Sequence, residues 1–397
     1  WHKKLDKKLV FTPRVKRFFV ILALAVIASY AVYIATQYRV NLGVVLPLVL
    51  SFALSFLLEK AKFKAYENSA RKKLASMPEL KIIMITASFG KTSIKNFLFE
   101  LLKNDFVCRK TPRSVNTLAG LIQDVNNELA AGTQIYIAEA GARLKGDIAQ
   151  ITEFLNPQIA IVGEIGAQHI EYFKTLENIR ATKLEALGSK RLEKAFVHSS
   201  TQANESEKIE IYDKDLSGVE ASLDGVKFKL GEREFHSPLL GKFNAANLAV
   251  CVKTALYLGL DEARIATALA RLKNVEHRLE RIDAGGKIII DDGFNGNFNG
   301  MSASYELVAG YEGRKVLVTP GIMESSDKEN EKLSKIINKT FDIVMLTSSL
   351  NAVALLKHLN RPKVIVIKDK SKMQEALAQN TRAGDLILFS NDAPSFM

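Results

Sequence analysis

Gly90, Lys91 and Thr92 stand between an apolar run, Ile82-Ile83-Met84-Ile85, and a stretch with helical spacing of Ile94, Phe97, Leu98, Leu101 and Leu102. That order reads as strand, tight turn and helix. Amides at a helix start, joined by a Lys ammonium, hold polyphosphate, and the Thr92 hydroxyl is a ligand for Mg²⁺. The full P-loop pattern would put a Gly five residues before Gly90, where Ile85 stands. Four further clusters carry chemistry. Glu139, in Glu139-Ala140-Gly141, follows the strand 135–138, where nucleotide enzymes place a Mg²⁺ ligand; a capping or surface Glu has the same signature. His169, one of six histidines, follows a glycine loop after the strand 159–162 and suits a metal, a phosphate or a structural role. Lys183 lies fourteen residues later in a helical stretch, ordinarily the place of a solvated Lys. Finally, Arg278 and Glu280 precede Asp291, Asp292, Asn295 and Asn297, groups suited to phosphate and ribose.

These groups sit in the loops of an alternating pattern. Strands are predicted at 82–85, 135–138, 159–162 and 195–198, with helices at 93–102, 117–129, 148–154 and 176–187. Such alternation gives a mainly parallel sheet covered by helices. Residues 200–240, including 208–212 and 226–230, read as an antiparallel insert, and 244–258 as a helix. A second α/β unit follows Arg281, with strands at 287–290, 315–318, 343–346, 364–367 and 386–389, and helices at 329–340 and 372–379. The expected class is α/β. A transmembrane helical hairpin and connector (1–80) precede a central P-loop-type parallel-sheet ATPase domain (81–282) and a C-terminal Rossmann-like domain (283–397).

Charge separates these parts. The net charge of +12 lies mostly in residues 1–80, which hold 14 Lys/Arg against 4 Asp/Glu; the remainder is nearly balanced, which argues against a nucleic-acid partner. Phe18 to Thr36 is 19 residues without a charge, and Leu42 to Leu58 is 17, broken by Gly43 and Pro47. The first is long enough for a bilayer and the second is at the short limit. Basic residues flank both outer ends, so the flanks are predicted cytoplasmic and Arg39 external. Cys108 and Cys251 are too few for a disulfide framework, which fits a reducing compartment. The chain begins with Trp1 rather than Met, so a further upstream segment is allowed for.

In order and spacing, the clusters resemble the Mur ligase family, from about Ile82 to Phe389. The family's Gly-Lys-Thr loop matches Gly90-Lys91-Thr92, and its Glu-x-Gly motif matches Glu139-Ala140-Gly141. Its Ile-Gly-x-x-His-Leu-Glu stretch is similar to Ile165 through Glu171, and its carbamylated Lys falls at Lys183, with Glu185 beside it. The adenine-side motif looks like Phe243-Asn244-Ala245-Ala246-Asn247, and the later motifs match at Arg278-Leu279-Glu280 and at Asp291 through Asn297. Departures are Ala87 for a loop Gly, Glu164 for Asn, Phe243 for His, His277 for Gly and Phe298 for Pro. A membrane hairpin stands where the family has a UDP-sugar-binding domain.

The resemblance implies an ATP-dependent amide ligase working through an acyl phosphate. It is most similar to members that add D-alanyl-D-alanine to a UDP-linked muramoyl tripeptide in peptidoglycan synthesis. It implies catalytic roles for Lys91, His169, Lys183 and Arg278. ATP contacts are implied at Ser88, Gly90, Lys91, Thr92, Ser93, Asn244, Asn247, Arg278, Asp292 and Asn295. Two Mg²⁺ ions would be held by Thr92 and Glu139 and by His169 and a carbamylated Lys183. With the hairpin, it places the protein at a bacterial inner membrane, its catalytic domains facing the cytoplasm and the C-terminal domain closing about residues 281–286. Two alternatives stand beside it. One is a family member acting on another carboxylate, lipid-linked, folate or poly-γ-glutamate; the other is a membrane-tethered nucleotide-binding protein without catalysis.

Overall fold

The computed structural model describes residues 11–41, 43, 45–113, 115–167, 170–293, 296, 298–322, 327–347 and 355–391. The chain divides into two compact units, the residues up to Pro78 with Ile122–Leu129, and the remainder.

The first unit is built on α1 (Pro13–Ala35) and α2 (Val45–Ala75). Thr12 caps α1, its hydroxyl accepting from Val15 N, and Pro13 takes the first helical position, where a missing N–H costs nothing. The expected helical hairpin is present, tied at its base by Arg17 and Glu59, whose Nε and Oε1 are 3.0 Å apart. Its second arm differs from expectation. The second apolar stretch and the charged connector form one continuous helix, because Pro47 falls in the first turn, where the helix tolerates it. Leu42 lies outside the described residues. Among the described residues one helix, Pro13–Ala35, is long and apolar enough to cross a membrane.

The second unit holds three sheets. In the first, β1 (Lys81–Thr86), β2 (Cys108–Lys110), β3 (Ile135–Glu139), β4 (Ile159–Val162), β5 (Lys194–Val197) and β6 (Ile209–Ile211) run in the order β2-β3-β1-β4-β5-β6. All five pairings are parallel. Both faces are covered, so β1, β3 and β4 read as unbroken apolar runs rather than alternating ones. Helices α3 (Lys91–Leu102), α5 (Asp147–Leu155), α6 (Ile170–Phe173) and α7 (Leu176–Leu184) fall between these strands in the chain, and α4 (Leu118–Glu128) belongs for the most part to the first unit. The three-stranded antiparallel sheet of β7 (Leu216–Ser222), β8 (Gly225–Leu230) and β9 (Arg233–Ser237) shares a core with α3, α8 (Asn244–Tyr257) and α9 (Glu262–Leu269).

One expectation needs correction here, and one strand was not expected. Residues 208–212 belong to the parallel sheet rather than the insert, because β6 pairs with β5 at Ala195–Ile209. Three alternating residues show a strand but not its partner. Strand β2, Cys108-Arg109-Lys110, has no apolar pattern because it lies on the sheet edge.

The second six-stranded sheet is ordered β10-β11-β15-β12-β13-β14, from β10 (Glu280–Ala284), β11 (Lys287–Asp292), β12 (Lys315–Thr319), β13 (Ile343–Leu346), β14 (Lys363–Val366) and β15 (Leu386–Ser390). Only β10 is antiparallel. Helices α10 (Phe298–Ala309) and α11 (Asp327–Thr340) cover one face and α12 (Met373–Asn380) the other. The expected interdomain link at 281–286 is instead the β10–β11 hairpin, turning at Gly285-Gly286, so the 282/283 boundary falls inside β10.

Candidate active site

The β1–α3 turn is set by Gly90. It caps α3 at φ +79°, and a Cβ there would meet Asn247 Oδ1 at 2.5 Å, so position 90 takes no side chain. Ala87 keeps a negative φ and is fully buried, so this turn does not require the family's Gly at that place. Ser88 N donates to Glu164 O (2.8 Å) and its hydroxyl to Gly166 O (3.0 Å), fastening the turn to the loop after β4. Lys91 folds over the turn, Nζ donating to Ala87 O (2.7 Å) and Ser88 O (3.0 Å). Burial lowers its pKa to about 8, with Glu139 opposing and Arg278 adding to the shift. Ser93 is buried in the first turn of the helix.

Glu139 ends β3 and is 1% exposed. Oε2 accepts from Thr92 Oγ1 (3.0 Å) and from Lys95 Nζ (3.0 Å), and Oε1 accepts from Asn116 Nδ2 (3.1 Å). Lys95 is also 1% exposed and donates to Arg113 O as well. The Gly of Glu-x-Gly has a local reason: a Cβ at Gly141 would lie 2.9 Å from Asn116. Sequence reading missed both Lys95 and Asn116. Lys95 had a signal, since it shares a helix face with Leu98 and Leu102, where a Lys needs a buried partner. Asn116 is a loop residue and had none.

Lys183, on α7, is 3% exposed, and its ammonium has no hydrogen-bond or ion-pair partner among the described residues. Burial lowers its pKa to about 7. The positive charge of Lys91 adds to that shift, while Asp147, Glu185 and Glu139 oppose it. Those acids are committed elsewhere. Glu185 accepts from Gly146 N and Ala149 N (both 2.9 Å) at the start of α5, and Asp147 accepts from Arg143 N (2.8 Å) and Leu144 N (2.9 Å).

At the start of α8, Asn244 Nδ2 donates to Leu240 O (2.7 Å) and Asn247 Nδ2 to Asn244 Oδ1 (3.0 Å); Phe243 presents a ring that is 39% exposed. Arg278 comes from the turn before β10 and Asp292 from the end of β11. His169, Asn295, Phe294 and Asn297 lie outside the described residues.

One cleft of about 680 Å³ collects these groups. Ser88, Gly90, Lys91, Thr92 and Ser93 line it from the turn, with Glu139 and Lys183 beside them. Phe243, Asn244, Asn247, Arg278 and Asp292 line the rest. Every described residue for which the resemblance implies a catalytic, ATP or metal contact therefore lines the same cavity, whose size suits a nucleotide, whereas Glu185, Glu280 and Asp291 do not line it. Thr92 and Glu139 form a pair of hard oxygen donors. That pair suits Mg²⁺, which takes one or two protein ligands and fills the rest with phosphates and water. Among the described residues no group of three His, Cys, Asp or Glu could hold a metal. An unmodified Lys183 amine is a poor Mg²⁺ ligand, so this position fits a metal only with an oxygen-bearing group on its nitrogen.

A parallel sheet with a Gly-Lys-Thr turn, a paired carboxylate and a cleft lined in part by the second α/β part suits a nucleotide-dependent enzyme. The Mur ligase middle domain matches residues 85–255, and the Mur ligase glutamate ligase domain matches residues 277–391. The chain belongs to the Mur ligase family, whose members are ATP-dependent ligases. It is 28% identical to the UDP-N-acetylmuramoyl-tripeptide–D-alanyl-D-alanine ligase of Bacillus subtilis (strain 168), over 78% of this chain and 72% of that protein. The ligase of the same name from Borreliella burgdorferi is 26% identical, over 74% and 64%. The crystal structure of MurF ligase from Thermotoga maritima in complex with ADP superimposes with a TM-score of 0.71 at 26% identity, covering 83% of this chain and 80% of that one.

Proposed function

We propose that this chain joins D-alanyl-D-alanine to UDP-N-acetylmuramoyl-tripeptide at the expense of ATP in peptidoglycan synthesis. The observation that carries the reading is the convergence of Lys91, Thr92, Glu139, Lys183 and Arg278 on one cleft. The names of the relatives support the choice of substrates.

Phe243 stacks on adenine, and Asn244 and Asn247 offer amide groups on the same side. Asp292 and Asn295 serve the ribose and phosphates. Ser88, Gly90 and Ser93 shape the turn around the polyphosphate. Lys91 and Arg278 offset charge on the phosphoryl group as the acceptor carboxylate attacks the γ-phosphorus and ADP leaves. The dipeptide amine, held by the C-terminal α/β part that begins at β10, then attacks the acyl carbon and expels phosphate. Thr92 and Glu139 would hold one Mg²⁺, and His169 with a carbamylated Lys183 the second. Bound there, the ions would draw negative charge from the phosphoryl oxygens. Lys183 suits carbamylation because burial leaves much of its amine neutral near pH 7, and the neutral amine adds CO₂ with loss of a proton.

The test is phosphate release from ATP by the full chain. Release requiring both the UDP-linked tripeptide and D-Ala-D-Ala is expected. Equal release without the dipeptide, or amide formation on a folate, poly-γ-glutamate or lipid-linked carboxylate instead, overturns the reading.

Helix α1 favours an anchored form of the enzyme, at the inner membrane with its catalytic part facing the cytoplasm. Retention in the membrane pellet after alkaline carbonate washing, with the catalytic part open to protease only in inside-out vesicles, is the expected result. Full release by carbonate contradicts it.

A further inference from the structure

Arg278 lines the cleft, yet the two residues that flank it have left-handed backbone: His277 at φ +60° and Leu279 at φ +54°. A bulky residue rarely holds that conformation unless its surroundings impose it. Here they do. Leu279 is fully buried in the core of the second sheet. Asn274 Nδ2 donates to Arg278 O (2.9 Å), while its Oδ1 accepts from Leu240 N (3.0 Å). His277 N donates to Glu280 Oε2 (3.3 Å). The remaining grip is made by a side chain. His277 Nδ1 lies 2.7 Å from Oδ2 of Asp291, a carboxylate 1% exposed whose Oδ1 accepts from Gly293 N (3.0 Å). Asp291 thus joins the turn that carries Arg278 to the strand end that carries Asp292.

We propose that His277 is a positioning residue, holding Arg278 in the cleft by clamping its strained turn to Asp291 on β11. A Gly, which the family resemblance puts at this position, would adopt the backbone freely but make no clamp. The charged groups around the ring are Asp291 on β11, Glu276 on the turn itself, with Oε1 3.6 Å from Nε2, and Glu280 on β10. The Asp291 hydrogen bond raises the His277 pKa, burial opposes it, and Asp291, Glu276 and Glu280 add to the rise. The clamp is therefore complete below the ordinary His range and weakens as pH rises through the elevated value.

The role of Arg278 rests on the proposed ligase reading, so two measurements on the full chain separate the claims. In nucleotide-free protein at pH 6.5, amide exchange at Arg278–Glu280 should be faster in His277→Gly and His277→Asn than in wild type. Binding of a non-hydrolysable ATP analogue by calorimetry should be about tenfold weaker in both variants at pH 6.5, the gap narrowing to within about twofold at pH 9. Unchanged exchange overturns the clamp. Faster exchange with equal affinity, or with an affinity gap that is the same at both pH values, overturns the positioning role. Failure of wild type to bind the analogue overturns the nucleotide reading instead, and the exchange result still decides the clamp.

Discussion

Glu139 at the end of β3 and Lys183 on α7 face one cleft and are almost equally hidden from water, at 1% and 3% exposed. Their neighbours treat them differently. Both oxygens of Glu139 are engaged, by Thr92, Lys95 and Asn116, so its orientation is fixed. Lys183 has no partner among the described residues, and the acids nearby are occupied with the α5 end and its loop. A buried charge that is paired holds a position; a buried amine that is unpaired sheds its proton and becomes a nucleophile. One side of the cleft thus holds a fixed carboxylate, and the other presents a buried amine that burial leaves partly neutral near pH 7.

Substitutions can break this contrast from either side. The largest effect is expected for Lys183→Ala, which should lower ligation on the order of 100- to 1000-fold. A short carboxylic acid, entering the space and replacing the carbamate oxygens, should restore part of it in steady-state assays. On the paired side, Lys95→Met strands a buried carboxylate and should destabilise the fold by about 3–5 kcal/mol in urea unfolding. The pH dependence sharpens the comparison further. With Lys183 titrating at about 7, its neutral-amine fraction should rise roughly tenfold between pH 6 and 8, and carbamate occupancy at fixed dissolved CO₂ more steeply still until it saturates, because adding CO₂ also releases a proton. The smallest effect belongs to the turn. Ala87→Gly should destabilise by only about 0.5–1 kcal/mol and leave nucleotide affinity within about twofold, because Ala87 already holds a negative φ.

Much of this contrast was legible in the residues themselves. Gly90, Thr92 and Glu139 each stand at the end or start of an element whose apolar run marks it, so their shared cleft could be expected from topology, whereas Lys183, inside a helix, reads as a solvated Lys without the family resemblance. Lys95 was less visible, because its partner Glu139 is forty-four residues away and their pairing exists only once β1 and β3 are side by side. The same applies to β6, a short segment whose pattern shows a strand but leaves its partner open, while β10 read as a link and became visible as a strand only in its pairing with β11. The clamp of His277 on Asp291 also needed coordinates, since sequence shows the missing Gly but not the left-handed backbone that makes it matter.

The most direct measurement is ¹³C NMR of the full chain supplied with ¹³C-bicarbonate. Wild type should show a carbamate carbonyl resonance that grows as pH rises through about 7 and is missing from Lys183→Ala, while Glu139→Gln retains it. A wild-type spectrum without that resonance, or a Lys183→Ala spectrum that keeps it, would contradict the assignment of Lys183 as the modified side of the cleft.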